Sequence, residues 1–272
     1  MRVVIIGADG GMGKWLRRHL ASLGFDVYGF YNERDDAATL SKADLVIISV
    51  PIGVTSKVIK SSLKHMRKGA TLMEIASLKS NTYETMVEAS TMGYNTLCVH
   101  PMFGPSTTDL LEKTVVLIPV MDVESEVKQT REIYPGASIE ILGPDQHDKL
   151  MSVILSLPYL INLALARTLN DEDLVMLRKL SGTTFSLQYM LTQSVAAENT
   201  SLISSLINDN RFLKDLAEKY IESLNDVIRK KDFTDFSILH DEIKDMMRRD
   251  PIHYNSHEIR QIAYDSIRPL LR

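Results

Sequence analysis

The chain has 272 residues, enough for one large or two modest domains with real hydrophobic cores. Its net charge of -4 excludes the basic footprint of a nucleic-acid binder. Its one cysteine, Cys98, excludes an internal disulfide, fits a reducing cytoplasm, and reads as a buried core thiol within Thr96-Leu97-Cys98-Val99.

The chain opens on Arg2 and the apolar run Val3-Val4-Ile5-Ile6, a strand entering a glycine turn and not the apolar core of a secretory leader. The turn reads Gly7-Ala8-Asp9-Gly10-Gly11-Met12-Gly13, with glycines at positions 7, 10 and 13. This is a spacing variant of the dinucleotide fingerprint. The first glycine permits a tight turn, Gly10 and Gly11 let backbone approach a pyrophosphate, and Gly13 lets the following helix lie on the sheet. A helix N-terminus there offers free N–H groups to the phosphates, with Asp9 and Met12 in the same turn. A second strand spans residues 26–30 and ends at Tyr31-Asn32-Glu33-Arg34. An NAD site places a ribose-binding carboxylate near this point; Tyr31 is no carboxylate, so either Glu33 serves from two residues later or Asn32 and Arg34 accept a 2′-phosphate. NAD and NADP both stay open, with a lean toward NADP.

Further strands are expected at residues 45–50, 71–75, 96–99, 115–119 and 138–142. Runs such as Leu45-Val46-Ile47-Ile48 are apolar on both faces, as in a parallel sheet covered by helices. Val50 and Pro51, leaving the third strand, are read as cofactor contacts. Two more segments follow strands at carboxyl ends, where α/β proteins bind ligands: Glu74-Ile75-Ala76-Ser77-Leu78-Lys79-Ser80 and His100-Pro101-Met102-Phe103-Gly104-Pro105. A histidine at such a place suits a general base, its ordinary pKa of ~6.5 being near working pH; a structural histidine is the competing explanation. No metal site is expected.

At Gly143-Pro144 the pattern changes, and helical periodicity dominates to the C-terminus. One long helix is expected over residues 146–169. Its apolar stretch, residues 150–166, contains Ser152, Ser156, Pro158 and Asn162, falls short of the ~20 residues of a membrane span, and is read as a buried helix. The expected architecture is α/β: an N-terminal Rossmann-type doubly wound sheet (residues 1–143) followed by an all-helical C-terminal domain (residues 144–272) for substrate binding and dimerisation.

The motifs His100–Pro105 (HPMFGP), Ala76-Ser77-Leu78-Lys79, Ser49-Val50-Pro51-Ile52 and Gln146-His147-Asp148, in this order and spacing, resemble the prephenate dehydrogenase family over nearly the whole chain. HPMFGP is closest to the form in the dehydrogenase half of bifunctional chorismate mutase–prephenate dehydrogenases; neither a mutase nor a regulatory ACT domain is expected here. The resemblance implies oxidative decarboxylation of prephenate to 4-hydroxyphenylpyruvate, with hydride transfer to NAD(P), in tyrosine biosynthesis. It also implies a cytoplasmic homodimer, with neither nucleic acid nor membrane as partner. It makes His100 the catalytic base toward the C4 hydroxyl of substrate, and Ser77 a hydrogen-bond partner of both. Lys79 and His147 would then lie on the substrate side, His147 with Asp148 opening the first long helix. The sequence departs from the family where arginines usually grip substrate carboxylates: Phe185 and Gln193 stand there. Lys79 is therefore the expected anchor, with Arg167, Arg178, Lys179 and Arg211 in reserve. Arogenate dehydrogenase, a non-catalytic nucleotide sensor and a β-hydroxyacid dehydrogenase are the competing assignments, the last disfavoured because HPMFGP is not its signature.

Overall fold

The computed structural model of the protein describes residues 1–30 and 37–270. Tyr31, Asn32, Glu33 and Arg34, the expected determinants of cofactor choice, lie outside the described residues. The chain divides into two compact units: Met1–Ser152 together with Thr200–Arg211, and Val153–Asn199 together with Phe212–Arg272. The first unit runs nine residues beyond the boundary expected at 143/144, and takes back a short segment from the helical half.

The first unit is built on a seven-stranded sheet ordered β2-β1-β3-β4-β5-β6-β7. Its strands are β1 (Arg2–Ile6), β2 (Asp26–Phe30), β3 (Leu45–Ile48), β4 (Thr71–Glu74), β5 (Asn95–Pro101), β6 (Thr114–Leu117) and β7 (Ser138–Ile141). All seven expected strands are present. All neighbours are parallel except β5 and β6. Alternate residues sort to opposite faces, as the period of two in a strand requires. Val4, Ile6, Val46, Ile48 and Leu72 join one core, while Val3, Ile5, Leu45, Ile47 and Met73 join the other. Both faces are therefore covered, which explains why the strands read as unbroken apolar runs.

The covering helices are α1 (Gly11–Ser22), α2 (Ala37–Ser41), α3 (Thr55–Leu63), α4 (Tyr83–Thr91), α5 (Val123–Ile133) and α6 (Pro144–Met151). Trp15, Leu16 and Leu20 of α1 are buried at the spacing that puts them on one helix face. Each such side chain contributes ~1.5–3 kcal/mol by leaving water. The sheet order reverses between β2 and β3 about β1, so a crevice is expected at the carboxyl ends of β1 and β3.

Residues beyond 152 are helical: a π-helical turn (Ser152–Ser156), α7 (Leu157–Thr168), α8 (Leu174–Leu180), α9 (Thr183–Ala196), α10 (Thr200–Asn208), α11 (Leu213–Arg229), α12 (Phe233–Met247) and α13 (Ser256–Ile267). Of these, α10 belongs to the first unit, where it packs on the turn Ile52–Val54 with Leu206 fully buried. In the second unit α7 pairs with α9. Asn162 pins them: its Oδ1 accepts from Gln188 Nε2 and Thr192 Oγ1, each at 2.8 Å, and its Nδ2 donates to the Pro158 carbonyl.

Two expectations about the long helix need correction. Its apolar stretch is not buried within one chain: Val153 and Ile154 are 49% and 54% exposed, and Asn162 is the buried residue of α7. The stretch is apolar round most of its circumference, and a helix of that kind needs more cover than one or two neighbours supply. Nor is it too short for a span. The continuous helix Pro144–Thr168 has 25 residues and contains an 18-residue window of mean hydropathy 1.6, long and apolar enough to cross a membrane by length and composition. Its first turns, however, bury His147, Asp148 and Met151 in the first unit.

Candidate active site

The glycine turn is constrained as the motif requires. Gly7 has φ +86°, a left-handed conformation, and a side chain there would come within 2.2 Å of the Ser49 carbonyl oxygen. At Gly13 a Cβ would stand 2.1 Å from the Gly7 carbonyl oxygen, so only glycine lets α1 start this close to β1. Helix α1 begins at Gly11 with no side-chain cap and no acidic residue in its first turn. Among the described residues no side chain caps its first N–H groups, and the dipole favours an anion. This cradle fits a dinucleotide pyrophosphate. Asp9 and Gly10 are exposed beside it, Val50 and Pro51 leave β3 at the same edge, and Met12 is half-buried. Pro105, the last residue of the HPMFGP segment, lies against Gly11, where a Cβ would meet it at 3.1 Å. The histidine segment therefore closes over the glycine turn.

His100 sits near the end of β5 and is 5% exposed. Its Nδ1 is hydrogen-bonded to His147 Nε2 at 2.9 Å, the two rings crossing at 70°. His147 Nδ1 is hydrogen-bonded in turn to Asp148 Oδ1 at 2.7 Å. Asp148 is the anchor of this chain. Its Oδ1 accepts from the Lys79 backbone N–H and its Oδ2 from the Ser80 backbone N–H, both at 2.8 Å, and the Ser80 hydroxyl also donates to Oδ2. Asn210, just beyond α10, donates to the Asp148 carbonyl at 3.0 Å. Sequence reasoning missed Ser80 and Asn210; no local pattern marks either.

The turn that cradles Asp148 is held from below. Lys79 Nζ reaches the Glu74 carboxylate and the Val99 carbonyl, each at 2.6 Å, with both ionic side chains wholly buried. Glu74 Oε2 accepts from the Ala76 N–H, and Oε1 also accepts from the Cys98 thiol. Cys98 is thus buried as expected, and burial, reinforced by the charge of Glu74, raises its pKa well above the ordinary range.

Burial, the Lys79 charge and His147 together hold the His100 pKa well below its ordinary value, against a smaller opposing pull from Asp148. Burial lowers His147 too, although its bond to Asp148 acts the other way. Burial would raise Asp148, but the bonds from His147, from Ser80 and from the two backbone N–H groups outweigh it and keep its pKa low. Two neutral imidazoles ending on a carboxylate are suited to general-base work at His100, not to storing charge.

Three expectations at this site are corrected. Lys79 does not share a cleft with Ser77: residues 75–80 form a turn instead of an extended run, and the ammonium points into the Glu74 pair. His147 is not left for substrate, because both its ring nitrogens are taken and its side chain is fully buried. Nor does Ser77 bond to His100 among the described residues; it is half-buried, and Nδ1 of His100 is engaged by His147. Arg211 pairs with Asp145. In the second unit Phe185 stacks on Tyr189 at 5.5 Å, and Gln193 is exposed on the same helix. A cavity of about 550 Å³ lies between α1 and residues 105–110, lined by Trp15, Arg18, His19 and Asp109 among others. It contains neither the glycine cradle nor the histidine chain, and the chemistry belongs to the latter two.

A family model described as prephenate dehydrogenase, nucleotide-binding domain, matches residues 5–139, and one described as prephenate dehydrogenase, dimerization domain, matches residues 143–243. The chain is 29% identical to a protein of Methanocaldococcus jannaschii named "Probable arogenate/prephenate dehydrogenase", over 85% of this chain and 58% of that protein. It spans about three fifths of the length of the curated relatives it matches. Among solved structures, the prephenate dehydrogenase from A. aeolicus in complex with hydroxyphenyl propionate and NAD+ superposes with a TM-score of 0.72 at 20% identity, covering 92% of this chain and 98% of that one. The Synechocystis arogenate dehydrogenase superposes with a TM-score of 0.64 at 19% identity, covering 96% and 100%. At such identities these two likenesses speak for the fold.

Proposed function

The chain belongs to the prephenate dehydrogenase family, and from that premise we propose that it oxidatively decarboxylates prephenate, or its amino analogue arogenate, using a nicotinamide dinucleotide. The observation that carries the reading is the coincidence of the glycine cradle with a buried, neutral histidine at the end of β5. Gly7, Gly10, Gly11 and Gly13 would hold the pyrophosphate, with Asp9, Met12, Val50 and Pro51 around it. When bound, the cofactor supplies the acceptor for a hydride from C4 of the substrate.

His100 accepts the proton of the C4 hydroxyl, and Ser77, half-buried in the loop after β4, is the hydroxyl group suited to orient the substrate. The balance of the reaction defines how long His100 keeps that proton. Prephenate enters as a dianion; a hydride, CO2 and a hydroxyphenylpyruvate monoanion account for all its atoms and charge. No proton is released overall. His100 therefore takes the proton as the C4–O bond gains carbonyl character. It returns the proton to the same oxygen once the C–CO2 bond breaks and the ring becomes aromatic. A base in this role needs a pKa low enough to be neutral at rest and a surrounding that tolerates a brief positive charge.

The test is formation of reduced nicotinamide, followed by absorbance, with prephenate and arogenate each offered against NAD+ and NADP+. Turnover of either substrate is expected, with NADP+ favoured on the strength of Asn32 and Arg34. Absence of reduced cofactor in all four combinations would overturn the reading. A homodimer, formed through the helical half in the cytoplasm, completes the proposal; it is supported by the description of the second family model and by the uncovered apolar helices.

A further inference from the structure

We infer that Asp148, acting through His147, sets the tautomer of His100, so that its Nδ1 carries hydrogen and its Nε2 is the bare, basic nitrogen. The inference deepens the function proposed above and rests on that reading for its catalytic meaning; the hydrogen-bond logic stands on geometry alone.

The logic starts from groups whose polarity is not adjustable. A backbone N–H can only donate. The N–H of Lys79 donates to Asp148 Oδ1, and that of Ser80 donates to Oδ2. Both carboxylate oxygens are therefore acceptors, and a proton on either would face a donor. With Asp148 ionised, His147 Nδ1 must be the donor in its bond to Oδ1. A neutral His147 then has an unprotonated Nε2, which can only accept. Its partner is His100 Nδ1, which must carry the hydrogen. A neutral imidazole has one N–H, so Nε2 of His100 is bare and, among the described residues, has no partner. Burial keeps both rings in the neutral form on which this chain of assignments depends.

The arrangement has a consequence for the proton that His100 borrows. When Nε2 takes the substrate proton, the ring becomes an imidazolium whose Nδ1–H already points at a lone pair on His147, itself polarised by Asp148. The transient charge is stabilised at the moment it forms, with no reorientation of the ring. His147 and Asp148 are thus positioning residues; neither touches the substrate. The buried Glu74–Lys79 pair fixes the turn whose N–H groups hold Asp148 in place.

The experiment is long-range proton–nitrogen correlation spectroscopy on the full chain with nitrogen-15-labelled histidines at neutral pH. Resonances are assigned by their loss in His100→Asn and His147→Gln. Protonated Nδ1 and bare Nε2 in both rings is the expected result; a proton on Nε2 of His100, or a doubly protonated His147, overturns the inference. A kinetic arm separates positioning from simple packing. The amide of His147→Gln can accept from His100 and donate to Asp148, so it keeps kcat within about tenfold of the wild type. His147→Leu, similar in bulk and without polar atoms, loses about 100-fold or more in kcat with little change in KM. Equal losses in both variants, or near-normal kcat in the leucine variant, contradict the assignment. Should the wild-type chain turn over neither substrate, the functional reading fails on its own account, and the wild-type spectrum still decides the tautomer.

Discussion

His100 and Lys79 illustrate how differently two residues that both look chemical in the sequence can behave once folded. Replacing His100 by asparagine keeps a polar side chain but removes the proton acceptor, so turnover should fall ~100- to 10,000-fold while dinucleotide binding persists. Ser77→Ala should cost less, since the role proposed for the serine is to orient the substrate and not to hold the proton. Near-normal rates in the His100 variant would remove the base from the mechanism. Lys79, by contrast, should behave as a structural residue. Lys79→Ala leaves the Glu74 carboxylate buried and unpaired beside Val99, a change that costs ~3–5 kcal/mol in comparable sites. The urea midpoint should drop sharply, and the double variant Lys79→Met, Glu74→Gln should recover part of the loss. A selective rise in KM with unchanged stability would instead restore the anchor role expected from sequence. The lowered histidines also give stability a pH dependence of known sign. An unfolded chain protonates histidine near the ordinary 6.5, whereas folded His100 and His147, facing Lys79, Asp148 and Glu74, take up protons only at lower pH. Below that ordinary value the unfolded state binds more protons, so stability falls as pH falls from about 6.5. Asp148, lowered from 3.8, adds its own loss only at more acid pH. Urea titrations at about pH 5.5 and about pH 7.5 should show this difference, reduced in His100→Asn; an unchanged slope in that variant would disprove the attribution.

Among the elements, the β1–turn–α1 unit is the most tightly determined. Its geometry depends on the absence of side chains: a methyl group at residue 13 would overlap the Gly7 carbonyl by more than an ångström of ordinary contact distance. Gly13→Ala should therefore push α1 away from the sheet, costing ~1–3 kcal/mol and weakening dinucleotide binding tenfold or more. Fluorescence titration with NADP+ and NAD+ reads the second effect directly, and wild-type affinity in this variant would show that the turn has room to spare. The turn after β4 has a different logic. No glycine shapes it; the Lys79 side chain pulls it down onto Glu74, and its N–H groups are thereby aimed at Asp148. The π-helical turn Ser152–Ser156 begins at Ser152, the residue at which the first stretch of the first unit ends.

For the whole molecule, the second unit leaves apolar surface that a single chain does not cover. On α12, Phe233, Phe236, Ile243 and Met247 recur at helical spacing along one face, and they are 87%, 50%, 40% and 50% exposed. An exposed apolar stripe of this kind, interrupted only at His240, marks an interface more often than a solvated face. Two-fold pairing is the commonest way to bury it. Sedimentation at micromolar concentration should give a mass near twice the 30.7 kDa of the chain. Phe236→Asp should shift the equilibrium toward monomer, and a pure monomer for the wild-type chain would refute the pairing.

By itself the sequence determined what depends on neighbours along the chain. Parallel strands covered on both faces must be apolar, and the central β1 and β3 are legible as such, while the outer strands show by their apolar residues between turn signals; the glycine spacing of residues 7–13 encodes a backbone that no other residue permits; His100 is placed by the strand it ends. What remained hidden depends on partners distant in sequence. Lys79 reads as a free cation until folding sets it against Glu74 and Val99, and His147 reads as a substrate ligand until it meets His100, 47 residues away. The backbone cradle for Asp148 spans 69 residues of separation. Burial decides the chemistry of such groups, by removing water and leaving each polar atom only the partners the fold supplies. Only the tertiary structure, therefore, distinguishes the residue proposed to do the chemistry from those that hold it in place.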